Sequence, residues 1–296
     1  MKMHDTGTAW MFDATLVTDR SDLPSGTREA RPGGASTERA GRIALPSAPV
    51  RRGPSPDAEL DTEALMGEAL TVLDEQDGYA RVRLSTDGYV GYVPAAAIGE
   101  TGAVPTHRVA SLRTFLYPAP ALKRPPLAFL SFGVTLAVTG QAENGYVPVA
   151  TGGYVTANHL VALGDRQADF VEVAARFDRT PYLWGGKTSL GIDCSGLVQV
   201  SLAACGYASP RDSWDQAAHL GELIDVPPDL SGLQRGDLVF WKGHVGIMCD
   251  GERLLHANAH HMEVATEPLA GAVARILAKG AGPVTAIRRI PDAPLG

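Results

Sequence analysis

Two segments of this chain carry residues able to cleave an amide. The first, PYLWGGKTSLGIDCSGLVQ (Pro181–Gln199), places Cys194 where helical text begins. A thiol at a helix mouth meets unpaired backbone N–H groups and the positive end of the dipole, which favour the nucleophilic thiolate. The same N–H groups, that of Cys194 included, are placed to donate to an oxyanion during acyl transfer. Asp193 stands at the N-cap position, and Gly196 lets a neighbouring chain come close. A cysteine alone at a helix start is more often a small buried hydrophobe. The second segment, RGDLVFWKGHVGIMCDGERLLHANAHH (Arg235–His261), changes that balance. His244 opens a strand after Lys242-Gly243, where a general base would face a cysteine, and His256 follows across a turn at Asp250-Gly251.

Geometry makes a demand on that hairpin. Side chains alternate faces along a strand, so His244 and His256 share a face only if paired residue numbers sum to an even value. A two-residue Asp-Gly turn would pair Cys249 with Glu252 and put the imidazoles on opposite faces. An odd loop or a bulge is therefore expected here. With it, His256 bonds one nitrogen of His244 and leaves the other for Cys194, as in a triad.

The elements that carry these residues follow from periodicity. Phe170, Val173, Ala174 and Phe177 line one face of a helix expected from about Arg166 to Phe177, closed by Pro181. Leu197, Val200 and Ala204 line a second helix from Cys194, ended by Gly206 in the left-handed C′ position. Apolar strands are expected at Asp237–Trp241, Val245–Cys249, Arg253–Ala257 and Thr285–Ile290. A helix followed by an antiparallel sheet is an α+β pattern. Ahead of it, from Gly67 to Ile98 and from Gly133 to Leu160, two passages repeat one scheme. Each has a Gly-led strand, a turn ending in Gly-Tyr (Asp77-Gly78-Tyr79 and Asn144-Gly145-Tyr146), and a Tyr-Val close. Residues 1–41 hold little to bury and read as a poorly ordered arm, although Trp10–Val17 is apolar enough to dock. The chain thus divides into that arm, repeats at 42–102 and 103–164, and a catalytic domain at 165–296.

Composition narrows the function classes. A length of 296 residues suggests two or three domains, and a formal charge of −7 recommends neither nucleic acid nor an anionic membrane as partner. No apolar run approaches the roughly 18 residues of a spanning helix. Asp5, Asp13 and Asp19 interrupt any signal-peptide core, which points to a cytoplasmic address. Three cysteines, Cys194, Cys205 and Cys249, make no disulfide framework. His256, His260 and His261 come without HExxH or paired CxxC motifs, so no metal is expected, and no phosphate loop is present.

Taken together, YLWGG…DCSG, RGDLVFW..GHVGIM and LLHA resemble the NlpC/P60 cysteine peptidases, a papain-like fold acting on bacterial cell-wall peptides. The resemblance spans about Asp165–Ile290. It implies that Cys194 is the nucleophile, His244 the base, His256 the third polar residue, and Tyr182 an aid at the oxyanion. It also implies that Asp193, Ser195 and Ser213 line the substrate pocket, with Trp184 as a wall. The repeats resemble tandem bacterial SH3-type barrels. That combination is similar to the γ-D-glutamyl-L-diamino acid endopeptidases, which cut between D-Glu and the diamino acid of freed muropeptides. In that branch the first barrel blocks one end of the cleft, and an acid and a tyrosine meet the free amine of the substrate's L-Ala. Glu59, Asp61 and Glu63, with Tyr89 and Tyr92, are available, and Glu59 with Tyr92 is the expected pair. A buried ammonium left unpaired costs several kcal/mol, so such a wall selects for a free amine. No organic cofactor, nucleic acid, membrane or obligatory protein partner is implied. Two rival readings share these residues: a wall-binding SH3-type protein on an inactive catalytic domain, and an acyltransferase or amidase of the same fold.

Overall fold

A computed structural model describes residues 38–291 other than 226 and 228. The Trp10–Val17 piece and most of the expected arm lie outside the described residues. The first barrel begins at Arg39, whose strand Arg39–Ile43 pairs with Ala69–Gln76, so residues 39–41 belong to the barrel rather than to an arm. Its seven strands form one antiparallel sheet around Val50, Leu70, Val82, Leu84 and Val93. The second barrel, from His107 to Ala162, closes a four-stranded and a three-stranded sheet around Leu130, Val134, Leu136 and Val155. The sequence repeat is also a repeat of backbone. Asp77-Gly78 and Asn144-Gly145 both have positive φ at two successive residues, the I′ geometry that matches strand twist. Short 3₁₀ turns, Ala95–Ala97 and Ala157–His159, follow the Tyr-Val strand in both.

One strand joins the barrels. Leu60–Leu65 pairs with Ser47–Arg51 and sends Ala64 into the first core, while Leu65 and Met66 are buried in the second. The chain then turns at Gly67, with φ +86°, where a Cβ would come within 2.1 Å of the Thr135 carbonyl oxygen. Only glycine permits that approach.

The α+β expectation is met in the C-terminal domain. Its sheet runs Glu222–Ile224, Ala286–Arg289, Asp237–Trp241, His244–Met248, Arg253–Asn258, Glu263–Pro268, antiparallel throughout. Helix α1 is Phe170–Ala175, shorter than periodicity suggested, because Asp169 caps it by accepting the N–H groups of Val171 and Glu172. Helix α2, Cys194–Ala204, ends at Gly206 with φ +88°, as expected. Helices α3, Ser213–His219, and α4, Leu269–Ala278, and the strand Glu263–Pro268 had no counterpart in the sequence reading. Leu238, Phe240, Val245, Ile247, Leu255 and Ala257 share one core with α2, and the opposite sheet face packs Val239, Trp241, Met248 and Leu254 against α4.

The short hairpin Lys187–Thr188/Gly191–Ile192 leads directly into Asp193 and Cys194 and is gripped by both barrels. Glu63 accepts the Lys187 N–H at 2.8 Å, Glu68 pairs with the Lys187 ammonium at 3.5 Å, and Ser131 Oγ accepts the Ser189 N–H at 2.9 Å. Lys187, Thr188 and Ser189 are buried. Because Leu65 ties the barrels together, Leu65→Ala should cost about 2–5 kcal/mol in urea unfolding. Limited proteolysis should then open both barrels together. Cleavage confined to one would refute that link between the barrels.

Candidate active site

Cys194 is the first residue of α2 and is 7% exposed. Asp193 caps that helix, accepting the Gly196 N–H at 2.7 Å through Oδ1 and the Gly185 N–H at 2.9 Å through Oδ2. Arg211 completes the cap. Its guanidinium, entirely buried, donates to both Asp193 oxygens at 2.9 and 2.7 Å, to Ser195 Oγ at 2.8 Å and to the Gly186 carbonyl at 3.3 Å. Through Nε it also donates to Thr62 Oγ1 of the first barrel at 2.6 Å. Burial works against that charge, yet the Asp193 carboxylate beside it holds the guanidinium protonated. Gln216, on α3, donates to the Ser195 carbonyl at 3.0 Å and to the Pro210 carbonyl at 2.9 Å. Neither Arg211 nor Gln216 was singled out from sequence. Their signal was the polar run SPRDSWDQ, Ser209–Gln216, read only for Ser213.

The histidines meet as the parity argument required. Cys249 donates its N–H to the Arg253 carbonyl across a three-residue loop, Asp250-Gly251-Glu252, so paired numbers have an even sum. Asp250 stabilises this odd loop by accepting the N–H groups of both Glu252 and Arg253. His244 and His256 then share a face, with His244 Nε2 at 2.8 Å from His256 Nδ1. Cys194 lies where that strand begins, its sulfur accepting the backbone N–H of Val245.

A further link was missed in the sequence. The strand Glu263–Pro268 pairs His256 with Ala265 and Leu254 with Glu267, which puts Glu267 diagonally beside His256 on the same face. Glu267 Oε1 lies 2.8 Å from His256 Nε2. Arg275, on α4, donates to both Glu267 oxygens, at 2.6 Å for Oε2. The period-two text EVATE before Pro268 was the available signal for this strand.

Charge at the site is set by burial. It pushes the Cys194 thiol up to about 12, reinforced by the Asp193 carboxylate, and outweighs the N–H groups of Val245 and Ser195. The thiolate expected from the helix mouth is therefore not the resting form. His244 keeps some accessible surface, but protein atoms crowd its ring; burial and the neighbouring His256 bring it down to about 3. Burial also lowers His256, against the pull of Glu267. Glu267 itself is raised by burial, but the His256 ring and the Arg275 guanidinium hold it well below the usual carboxylate range. The resting pair is a neutral thiol and a neutral imidazole.

The other expected residues are distributed around this centre. Tyr182 forms a bridge with Ile192, two residues before Cys194, and donates its N–H to the Met262 carbonyl. Ser213 is buried at the start of α3, and Trp184 is 39% exposed beside the Gly185 turn. On the first barrel, Glu59 is exposed and paired with Arg52, and Tyr92 is half-buried in a strand between Arg51 and Arg81. Asp61 and Tyr89 are nearer the site. Asp61 is buried and paired with Arg52 at 3.0 Å, its backbone lies against Gly185, and Tyr89 is in electrostatic reach of both Arg52 and Arg211. His256 is buried, and its Nε2 lies with ligand atoms of His261 and Glu267 inside 4.8 Å. The Arg275 charge on both Glu267 oxygens opposes a cation there.

Comparison with known proteins settles the family. Residues 179–276 match the NlpC/P60 family, and residues 50–98 match the bacterial dipeptidyl-peptidase Sh3 domain. The chain is 32% identical over 232 residues to a gamma-D-glutamyl-L-lysine dipeptidyl-peptidase of Bacillus subtilis, covering 70% of this chain and 75% of that one. The chain belongs to the NlpC/P60 family. It is a cysteine peptidase. A second relative with the same description, from Bacillus cereus, is 24% identical and covers 71% of each chain. In fold, this NlpC/P60 peptidase is similar to the crystal structure of a family member from Bacillus cereus, with a TM-score of 0.71 at 20% identity. That match covers 86% of this chain and all of the other.

A neutral resting pair makes a kinetic prediction for this NlpC/P60 peptidase. The logarithm of the rate of Cys194 alkylation by iodoacetamide should climb about one unit per pH unit between about pH 6 and about pH 9. A flat rate across that interval would indicate a preformed thiolate–imidazolium pair instead.

Proposed function

We propose that the protein hydrolyses the γ-D-Glu–diamino acid bond of soluble muropeptides that carry a free N-terminal L-Ala. The observation that carries this reading is the first barrel packed against Gly185 and Arg211, in a chain similar to a gamma-D-glutamyl-L-lysine dipeptidyl-peptidase over 70% of its length, more than the catalytic domain alone spans. Leu60 and Asp61 lie against Gly185, next to Trp184, and Thr62 is bonded to Arg211 behind the nucleophile. A barrel in that position closes one end of the cleft and limits how much peptide precedes the scissile bond. The amine of L-Ala would meet Asp61 and Tyr89, rather than the Glu59 and Tyr92 first preferred.

In the reaction, Cys194 Sγ bonds to the γ-carbonyl carbon as its proton passes to His244, giving a tetrahedral oxyanion. Tyr182 and the first N–H groups of α2 stabilise that charge. His244 then returns the proton to the departing amine as the C–N bond breaks. Water then gives a proton to His244 as its oxygen bonds to the thioester carbon; the C–S bond breaks, Cys194 Sγ takes that proton back, and the L-Ala-D-Glu end is freed. Asp193 and Ser195, already engaged by Arg211, hold the pocket wall in shape, with Ser213 and Trp184 beside it. Such a specificity suits the recycling of peptides already released from the wall. The three free thiols, Cys249 half-buried among them, are at ease in a reducing cytoplasm.

Mass spectrometry of L-Ala-γ-D-Glu-diaminopimelate digests tests the reading. Release of L-Ala-D-Glu that vanishes in Cys194→Ala is the expected result. Acetylating the peptide's amine, or Asp61→Asn, should lower kcat/KM by about 10²-fold or more. An unchanged rate on the acetylated peptide would remove the amine wall. Cleavage of intact sacculi but not of free peptide would make the protein a wall remodeller.

A further inference from the structure

The two histidines, Glu267 and Arg275 form one line of hydrogen bonds with a single consistent direction. Arg275 has only donors, and it gives them to both oxygens of Glu267. A carboxylate so held is ionised and has only acceptors to offer His256 Nε2, 2.8 Å away. The proton of the neutral His256 ring must then sit on Nε2, leaving Nδ1 bare. That bare nitrogen lies 2.8 Å from His244 Nε2, so His244 carries its own proton on Nε2 and has Nδ1 unprotonated. The His256 side chain is 0% exposed and that of Glu267 12%, so bulk water does not compete for these bonds.

We propose that Glu267, clamped by Arg275, is a positioning residue that sets the tautomer of both histidines and so leaves His244 Nδ1 as the base. The clamp has its own anchor. Leu269 and Ala272 bury α4 against the sheet and hold Arg275 over the carboxylate. Without it, Glu267 would be free to turn toward His261 Nδ1, 3.9 Å off. Because the positive Arg275 offsets the carboxylate's charge, the device acts through proton placement more than through a negative field on the imidazolium. This inference rests on Cys194 as nucleophile and His244 as base, and is independent of the peptide proposed above.

The test has two readouts. Long-range ¹H–¹⁵N correlation of the imidazole nitrogens in the free full-length protein should show both rings protonated at Nε2. In Glu267→Gln, Arg275 keeps the amide oxygen and the NH₂ group faces His256, forcing its proton onto Nδ1. The chain then reverses, and His244 presents an N–H to the cysteine where a base is needed. Turnover of L-Ala-γ-D-Glu-diaminopimelate should fall about 10²–10³-fold in kcat with KM within about twofold, as expected for a wrong tautomer. Arg275→Met, which keeps the carboxylate but loosens it, should lose less, and Arg275→Lys should recover part of that loss. Wild-type kcat in a folded Glu267→Gln protein would overturn the proposal. So would a wild-type spectrum with His256 protonated at Nδ1, a result that needs neither a variant nor a known substrate. Failure of wild-type protein to cleave the peptide, with the Nε2 tautomers in place, would instead count against the substrate assignment alone.

Discussion

The structure turns on one buried guanidinium. Arg211 joins Asp193, Ser195, Gly186 and Thr62 in a single set of hydrogen bonds. Those partners are the cap of the Cys194 helix, the residue after Cys194, the glycine turn before it, and the first barrel. A charge this deep is tolerable only when every donor is used and a carboxylate faces it. The same requirement that keeps Arg211 stable therefore fixes four parts of the molecule relative to Cys194. Removing either member of the pair would leave the other charge buried and unmatched, which is why the arrangement is all-or-nothing.

The barrels are more than appended modules in this view. The hairpin that precedes Cys194 is too short to hold itself, with only two residue pairs. It is rigid because Glu63, Glu68 and Ser131 reach across from two other domains to satisfy its backbone and its lysine. Burial pushes the Glu63 carboxyl up, so even the acid doing this work is partly protected from solvent. The segment before Cys194 is thus supported by residues 58 to 124 positions earlier in the chain.

A second consequence of enclosure is that Cys194 and His244 rest uncharged. Helix dipole and N–H groups favour a thiolate, and the sequence invited that conclusion, but the desolvation of Cys194 and His244 is the larger effect. In the proposed reaction, proton transfer then accompanies attack rather than preceding it. Selectivity for which nitrogen receives the proton falls to the line His244–His256–Glu267–Arg275, whose order follows from strand register.

Much of this was legible in the sequence. The Cys194/His244/His256 motif, the duplicated Gly-Tyr turns, and the odd loop between the histidines all follow from spacing, alternation and glycine chemistry, which are local properties. The register of His256 with His244 could even be demanded before it was observed. What sequence could not supply was long-range: Arg211, Glu267 and Arg275 look like ordinary surface charges until three-dimensional packing buries Arg211 and partly buries the other two beside a partner. Asp61 comes to lie against Gly185 because it sits on the strand that joins the two barrels, while Tyr89, from the turn before another strand, comes within electrostatic reach of Arg211. Local patterns singled out Cys194 and His244, since their types and spacing could carry the chemistry. Tertiary structure alone decided their protonation and their support, since desolvation and pairing depend on which distant segments exclude the water.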